Sequence, residues 1–140
     1  MKTDKPIFAV IDLETTGGKP MNSKVTEIAI IITDGTQILE EFTTLVNPKK
    51  PIDRFVVKLT GITDEMVSKA PVFGELMPKI KEMIQDKIIV AHNVDFDYQM
   101  LQREFIEVGD YIKNKKLCTV KAAKKVFNNF SSYSLTNICA

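Results

Sequence analysis

Phe8-Ala9-Val10-Ile11-Asp12-Leu13-Glu14-Thr15-Thr16-Gly17-Gly18 is the stretch whose reading decides the fold. Its first four residues form a short apolar run that ends at acids and glycines, which reads as a buried strand meeting a loop at residues 12–18. Asp12 and Glu14 stand two positions apart. Side chains alternate along a strand, so the two carboxylates project to one face and can reach a single ion. Hard divalent cations prefer carboxylate oxygen, but an Asp-x-Glu pair also arises by chance in many proteins. Its meaning therefore rests on the rest of the chain.

Downstream, Val25 to Thr33 and Ile38 to Val46 are two more strand-like runs, separated by Asp34-Gly35, a dipeptide suited to tight hairpins because it tolerates positive φ. Three antiparallel strands are expected. Asn47-Pro48 and Pro51 break regular structure, and Thr63-Asp64-Glu65 offers an N-cap with acids in the first turn of a short helix. Phe73, Leu76, Met77, Ile80, Met83 and Ile84 keep helical spacing, with Pro78 expected to kink that helix or delay its start. Lys87 to Ala91 is a further buried strand, running into His92-Asn93-Val94-Asp95-Phe96-Asp97. Phe96, Met100, Leu101, Phe105 and Val108 then space a helix that closes at Gly109, with Asp97 in its first turn. Val120, Ala123, Val126 and Phe127 suggest another helix, and Ser134 caps a last one. Strands first, then strands alternating with helices, point to an α/β class with a mixed sheet flanked by helices.

At 140 residues and 44% hydrophobic, the chain fits one domain, residues 1–140, with a core of useful size. Net charge is only +1, which with no low-complexity tract argues against disorder. The charge is uneven: residues 111–140 hold six lysines and no acid, whereas residues 1–110 hold 13 basic and 18 acidic side chains. That strip reads either as a solvated lysine face or as a surface that attracts phosphate beside an acidic body. Cys118 and Cys139 are too few for a disulfide framework and lack zinc spacing, so both read as small buried hydrophobes. Met1 to Pro6 does not start like a signal peptide, and no apolar run approaches the ~18–20 residues of a membrane helix. The expectation is a cytoplasmic protein with no membrane partner.

Four segments occur in order: Ile11-Asp12-Leu13-Glu14-Thr15-Thr16-Gly17-Gly18, then Leu59-Thr60-Gly61-Ile62-Thr63, then Val90-Ala91-His92-Asn93-Val94-Asp95-Phe96-Asp97, and Ser132 to Cys139. Together they resemble the DEDD superfamily of 3′-5′ exonucleases, in the DnaQ-like branch that includes the proofreading epsilon subunit of bacterial DNA polymerase III. The resemblance covers nearly the whole chain. It implies a ribonuclease H-like fold and metal-dependent hydrolysis of phosphodiester bonds at the 3′ ends of nucleic acid, releasing 5′-mononucleotides. Two ions, Mg²⁺ or Mn²⁺, are implied in the complete enzyme. Carried over by motif, Asp12, Glu14 and Asp97 are the catalytic metal ligands. The backbone at Thr15, Thr16 and Gly17 matches the segment that holds the terminal nucleotide, and the loop Leu59-Thr60-Gly61-Ile62 matches the one that packs against its base. Single-stranded DNA is the favoured substrate with RNA left open, and a DNA polymerase is a candidate partner.

Asp95 is also close in sequence, but the motif places the metal on the acid after Phe96, which leaves Asp95 solvated or capping. His92, the one histidine, belongs to the supporting segment of the motif, whereas the family's general base is a later histidine followed by a fourth acid. After Asp110 the sequence holds no Asp, Glu or His. The expectation is a chain that lacks the C-terminal helix with the last catalytic motif, as a cut protein, an omitted tail or a broken gene product, and that turns over weakly or not at all. The rival reading is a non-catalytic module of the same fold that binds a 3′ end or a partner protein. A small-molecule phosphohydrolase is a third, weakened by the match at Leu59 to Ile62.

Overall fold

Strand β1 (Phe8–Thr15) decides which side of the sheet is core. Ala9, Ile11, Leu13 and Thr15 are buried, while Phe8, Val10, Asp12 and Glu14 alternate with them on the other face. The computed structural model describes residues 5–126; the expected helix at Ser134, and with it Phe127, Tyr133 and Cys139, lies outside them. β1 runs on through Asp12 and Glu14, where the sequence reading began a loop. Its partner accounts for this. β2 (Val25–Thr33) pairs antiparallel along all of β1, with Asp12 opposite Ala29 and Glu14 opposite Glu27, so the ladder holds residues whose own preference for strand is weak.

β3 (Ile38–Leu45) pairs antiparallel with β2, and β4 (Ile88–Ala91) and β5 (Lys116–Cys118) add in parallel beyond β1. The order is β3-β2-β1-β4-β5, the mixed sheet expected from the sequence. At the hairpin, Gly35 takes φ 95°, and the Asp34 carboxylate accepts the amides of Thr36 at 2.8 Å and Gln37 at 3.0 Å. The largely exposed edge strand β3 carries Glu40 and Glu41, charges that discourage another strand from adding there. β5 was not anticipated, because two of its three residues are exposed and no apolar run marks it.

Among the described residues there are five α-helices: α1 (Arg54–Thr60), α2 (Asp64–Ser68), α3 (Phe73–Ile84), α4 (Val94–Glu107) and α5 (Thr119–Val126). α3 and α4 turn Phe73, Ile80, Met83 and Ile84, and Met100, Leu101 and Phe105, into the main core with Ala9, Ile11 and Leu13. The rings of Phe73 and Phe105 meet edge to face at 5.5 Å, a geometry the ring quadrupoles favour. α3 starts at Phe73 without delay, and Pro78 sits inside it. Gly109 takes φ 86° after α4, as its position suggested, but Val108 is 38% exposed rather than part of the apolar stripe.

The largest departure is α1, where sequence showed only loop. Its β-branched Val56 and Val57 do not favour helix, and only Val56 is buried. A satellite core of Ile52, Val56, Ile62 and Val67 holds it against α2 instead. Gly61, at φ 77°, closes α1 by donating its amide to the Val57 carbonyl at 2.8 Å. Thr63 caps α2 as expected, accepting the Met66 amide at 3.2 Å with Asp64 and Glu65 in the first turn. Among the described residues no helix is long and apolar enough to cross a membrane.

Candidate active site

Asp12 and Glu14 leave the same face near the carboxyl end of β1, and Asp97 stands in the first turn of α4, near enough for their charges to act on it. Asp97 is only 7% exposed, and burial first, then the charges of Asp12 and Glu14, push its carboxyl from 3.8 up to about 7. Burial also raises Glu14, with Asp12 and then Glu27 adding to it. The acids therefore share one electrostatic field. As placed, no three His, Cys, Asp or Glu side chains among the described residues converge closely enough to enclose an ion. The donor chemistry nonetheless fits a hard divalent cation: all oxygen, and burdened by a mutual repulsion that positive charge would relieve.

The turn from β4 into α4 aims Asp97. Asn93 adopts the left-handed conformation, φ 65°, which asparagine tolerates better than most residues. His92 Nδ1 lies 2.7 Å from Thr119 Oγ, so the histidine braces this turn against the start of α5. Asp95 stands half-exposed in ion pairs with Lys116 at 3.0 Å and Lys121 at 3.6 Å. The hydrogen bond from Lys116 is the main cause of its lowered carboxyl pKa, so Asp95 is engaged away from the other acids.

Sequence reasoning missed two acids. Glu27 lies directly opposite Glu14 across the β1/β2 ladder. Only the strand register reveals it, since the intervening loop hides the pairing in sequence. Glu104 falls at core spacing on α4, beside Met100, Leu101 and Phe105, and is 2% exposed. It accepts Lys24 and, at 3.3 Å, the Val25 amide, tying the helix that carries Asp97 to the start of β2. A polar residue inside an apolar helical stripe was the available signal.

The nucleotide-holding segment is stapled at both sides. Thr16 donates its amide to the Lys24 carbonyl at 2.9 Å and accepts the Asp53 amide at 2.9 Å, while its hydroxyl accepts the Lys24 amide at 3.0 Å. These bonds fix the position of the Thr16 backbone between Lys24 and Asp53. The Thr15 hydroxyl donates to the Gly17 carbonyl at 2.6 Å. A Cβ on Gly17 would come within 2.7 Å of the Asp53 carboxylate, so the loop and the start of α1 approach as only glycine allows without movement. Of the quartet from Leu59 to Ile62, Leu59 is 80% exposed, whereas Ile62 is buried in the satellite core and serves packing. Leu59 and Thr60 belong to the last turn of α1, not to a loop.

Four lysines of the lysine-rich strip stand apart from Asp12, Glu14 and Asp97. Lys116 and Lys121 are paired with Asp95. Lys113 and Lys115 line a cavity of about 690 Å³ with Ile7, Lys87 and Ile88, at the start of β1 and β4 and so at the opposite end of the sheet. That larger cavity holds none of the three acids, and the chemistry rather than the volume marks the site. A second cavity of about 530 Å³ adjoins Thr16, Gly17 and Gly18. Cys118 is buried as expected; burial raises its thiol pKa, but surrounding backbone amides, Lys121 first, bring it below the usual value.

The family model described as "Exonuclease" matches residues 9–140. The chain is 39% identical over 132 residues to the DNA polymerase III subunit epsilon of Aquifex aeolicus, covering 94% of this chain and 65% of that protein. It is 34% identical over 131 residues to the PolC-type DNA polymerase III of Caldanaerobacter subterraneus subsp. tengcongensis, covering 94% of this chain but 9% of that polymerase. The fold superposes on exonuclease X, solved in complex with 5′ overhanging duplex DNA, with a TM-score of 0.75, 25% identity, and 94% of this chain and 70% of that one covered. The family generally uses divalent metals. A mixed sheet that delivers two acids from its first strand and a third from the helix after its fourth, together with these likenesses, means that the chain belongs to the DEDD exonuclease family.

Proposed function

We propose that this domain removes nucleotides from the 3′ end of DNA, with Asp12, Glu14 and Asp97 holding Mg²⁺ or Mn²⁺ and a single strand as the favoured substrate. The observation that carries the reading is the raised proton affinity of Asp97, caused in part by Asp12 and Glu14. A protein gains nothing for its own stability from acids set to repel one another, and such perturbed clusters are typical of functional sites. When bound, the metal would supply charge for the attacking water and the leaving oxygen of the phosphodiester. The chain's own part is to present carboxylate oxygen from two elements, to brace the α4 turn through His92, and to expose Leu59 on the last turn of α1. The kinship with epsilon and PolC-type proteins supports a role next to a DNA polymerase, in the cytoplasm, as part of this proposal.

The experiment is digestion of 3′-labelled single-stranded DNA and RNA with added Mg²⁺ or Mn²⁺, against the Asp12→Ala variant. Release of 5′-mononucleotides by the native protein but not by the variant supports the reading; metal-independent release, or equal release by both, defeats it.

A further inference from the structure

α1 presents two large apolar side chains to solvent one turn apart: Phe55 is 60% exposed and Leu59 80% exposed. Residues four apart lie on the same helix face, so the two form one short ridge. A single exposed hydrophobe needs no explanation, but a fully formed ridge of phenylalanine and leucine beside a cavity does. Phe55 lines the cavity of about 530 Å³ together with Gly17, Lys19, Lys50 and Asp53. That volume lies within the range of small-ligand sites. Among the described residues neither Lys19 nor Lys50 forms an ion pair; the Lys50 ammonium meets only the Asn22 carbonyl. Asp53 is the one acid on the cavity wall, so two cations face one carboxylate.

We propose that Phe55, Lys19 and Lys50 form a subsite for the second nucleotide from the 3′ end of a single strand, with the base stacked on the Phe55 ring and its phosphate between the two lysines. The inference rests on the nuclease reading and extends it. Thr16, Gly17 and Gly18, which follow Asp12 and Glu14 directly at the end of β1, line this cavity, so it adjoins the segment assigned to the terminal nucleotide. Stacking on an aromatic ring suits any base, and lysines bind phosphate without regard to sequence, so the subsite adds affinity and not base preference.

The test is binding, which does not require turnover. Dissociation constants are measured at fixed Mg²⁺ for thymidine 5′-monophosphate and for an eight-residue oligothymidylate whose phosphorothioate linkages resist cleavage. Phe55→Ala is expected to weaken the oligonucleotide about 5- to 100-fold and the mononucleotide less than about twofold, and Phe55→Trp to restore binding. The Lys19→Gln, Lys50→Gln double variant is expected to flatten the salt dependence by about one phosphate contact. Unchanged oligonucleotide binding by Phe55→Ala overturns the subsite and leaves the nuclease reading standing. Equal loss for both ligands assigns Phe55 to the fold and also overturns it. If the native protein binds neither ligand, the nuclease reading falls and the subsite with it.

Discussion

A single carboxyl shows how function is stored at the cost of stability. Asp97 titrates near 7 in the folded chain against 3.8 as an ordinary aspartate. An acid with a raised folded pKa holds its proton more tightly when folded, so the folded state is favoured below about pH 4 and loses that advantage as pH rises towards 7. Metal-free protein should therefore melt at lower temperature at pH 8 than at pH 5, with a loss of about 2–3 kcal/mol of unfolding free energy. Asp97→Asn should abolish most of that slope in the same melts. Lys24 is the opposite case, a cation sustained by Glu104 and Glu107 although burial alone would lower its pKa. Lys24→Ala strands Glu104, whose side chain is 2% exposed, and should cost about 3 kcal/mol in urea denaturation. Glu107→Ala, removing a 52% exposed partner, should cost under about 1 kcal/mol.

The elements that carry the site are held by local devices as much as by core. α1 ends on Gly61 at φ 77°, where a Cβ would meet no atom within 4 Å. Gly61→Ala should nevertheless destabilise the domain by about 1 kcal/mol, because the strain lies in the backbone and not in crowding. Gly18→Ala, also in open space and at ordinary φ, is the control and should be neutral within about 0.5 kcal/mol. Chemical denaturation of the two variants separates conformation from contact. If both are neutral, the left-handed closure of α1 does not hold the Leu59 turn as described.

Across the whole molecule, β1 is the hub: β2 flanks it on one side and β4 on the other, so both motifs that bear acids meet at one end of the sheet. A divalent cation that binds only the folded arrangement must stabilise all of it. At a hundredfold excess over its dissociation constant, Mg²⁺ or Mn²⁺ should add about 2.7 kcal/mol, seen as a rise in melting temperature at pH 8 that Asp12→Ala removes. The same rise in the variant would place the ion elsewhere. Much of this architecture was legible beforehand, because β2, β3, α3 and α4 are long and periodic, and their patterns speak for themselves. α1 and β5 were not, because each is short, mostly exposed and stabilised by contacts distant in sequence.

The sequence by itself determined the fold class, the hairpin at Asp34-Gly35, the start of α4 near Asp97, and the pairing of Asp12 with Glu14 on one face. These follow from local propensity and the two-residue and 3.6-residue periods, which need no knowledge of partners. Tertiary structure alone decided that Glu27 faces Glu14, that Glu104 is buried against Lys24, that the Thr16 backbone bonds to Lys24 and Asp53, and that Lys116 and Lys121 pair with Asp95 while Lys113 and Lys115 lie at the far end of the sheet. Each of those depends on strand register or on which groups desolvate together, and the energies of charges and buried hydrogen bonds are set by neighbours that linear order does not name.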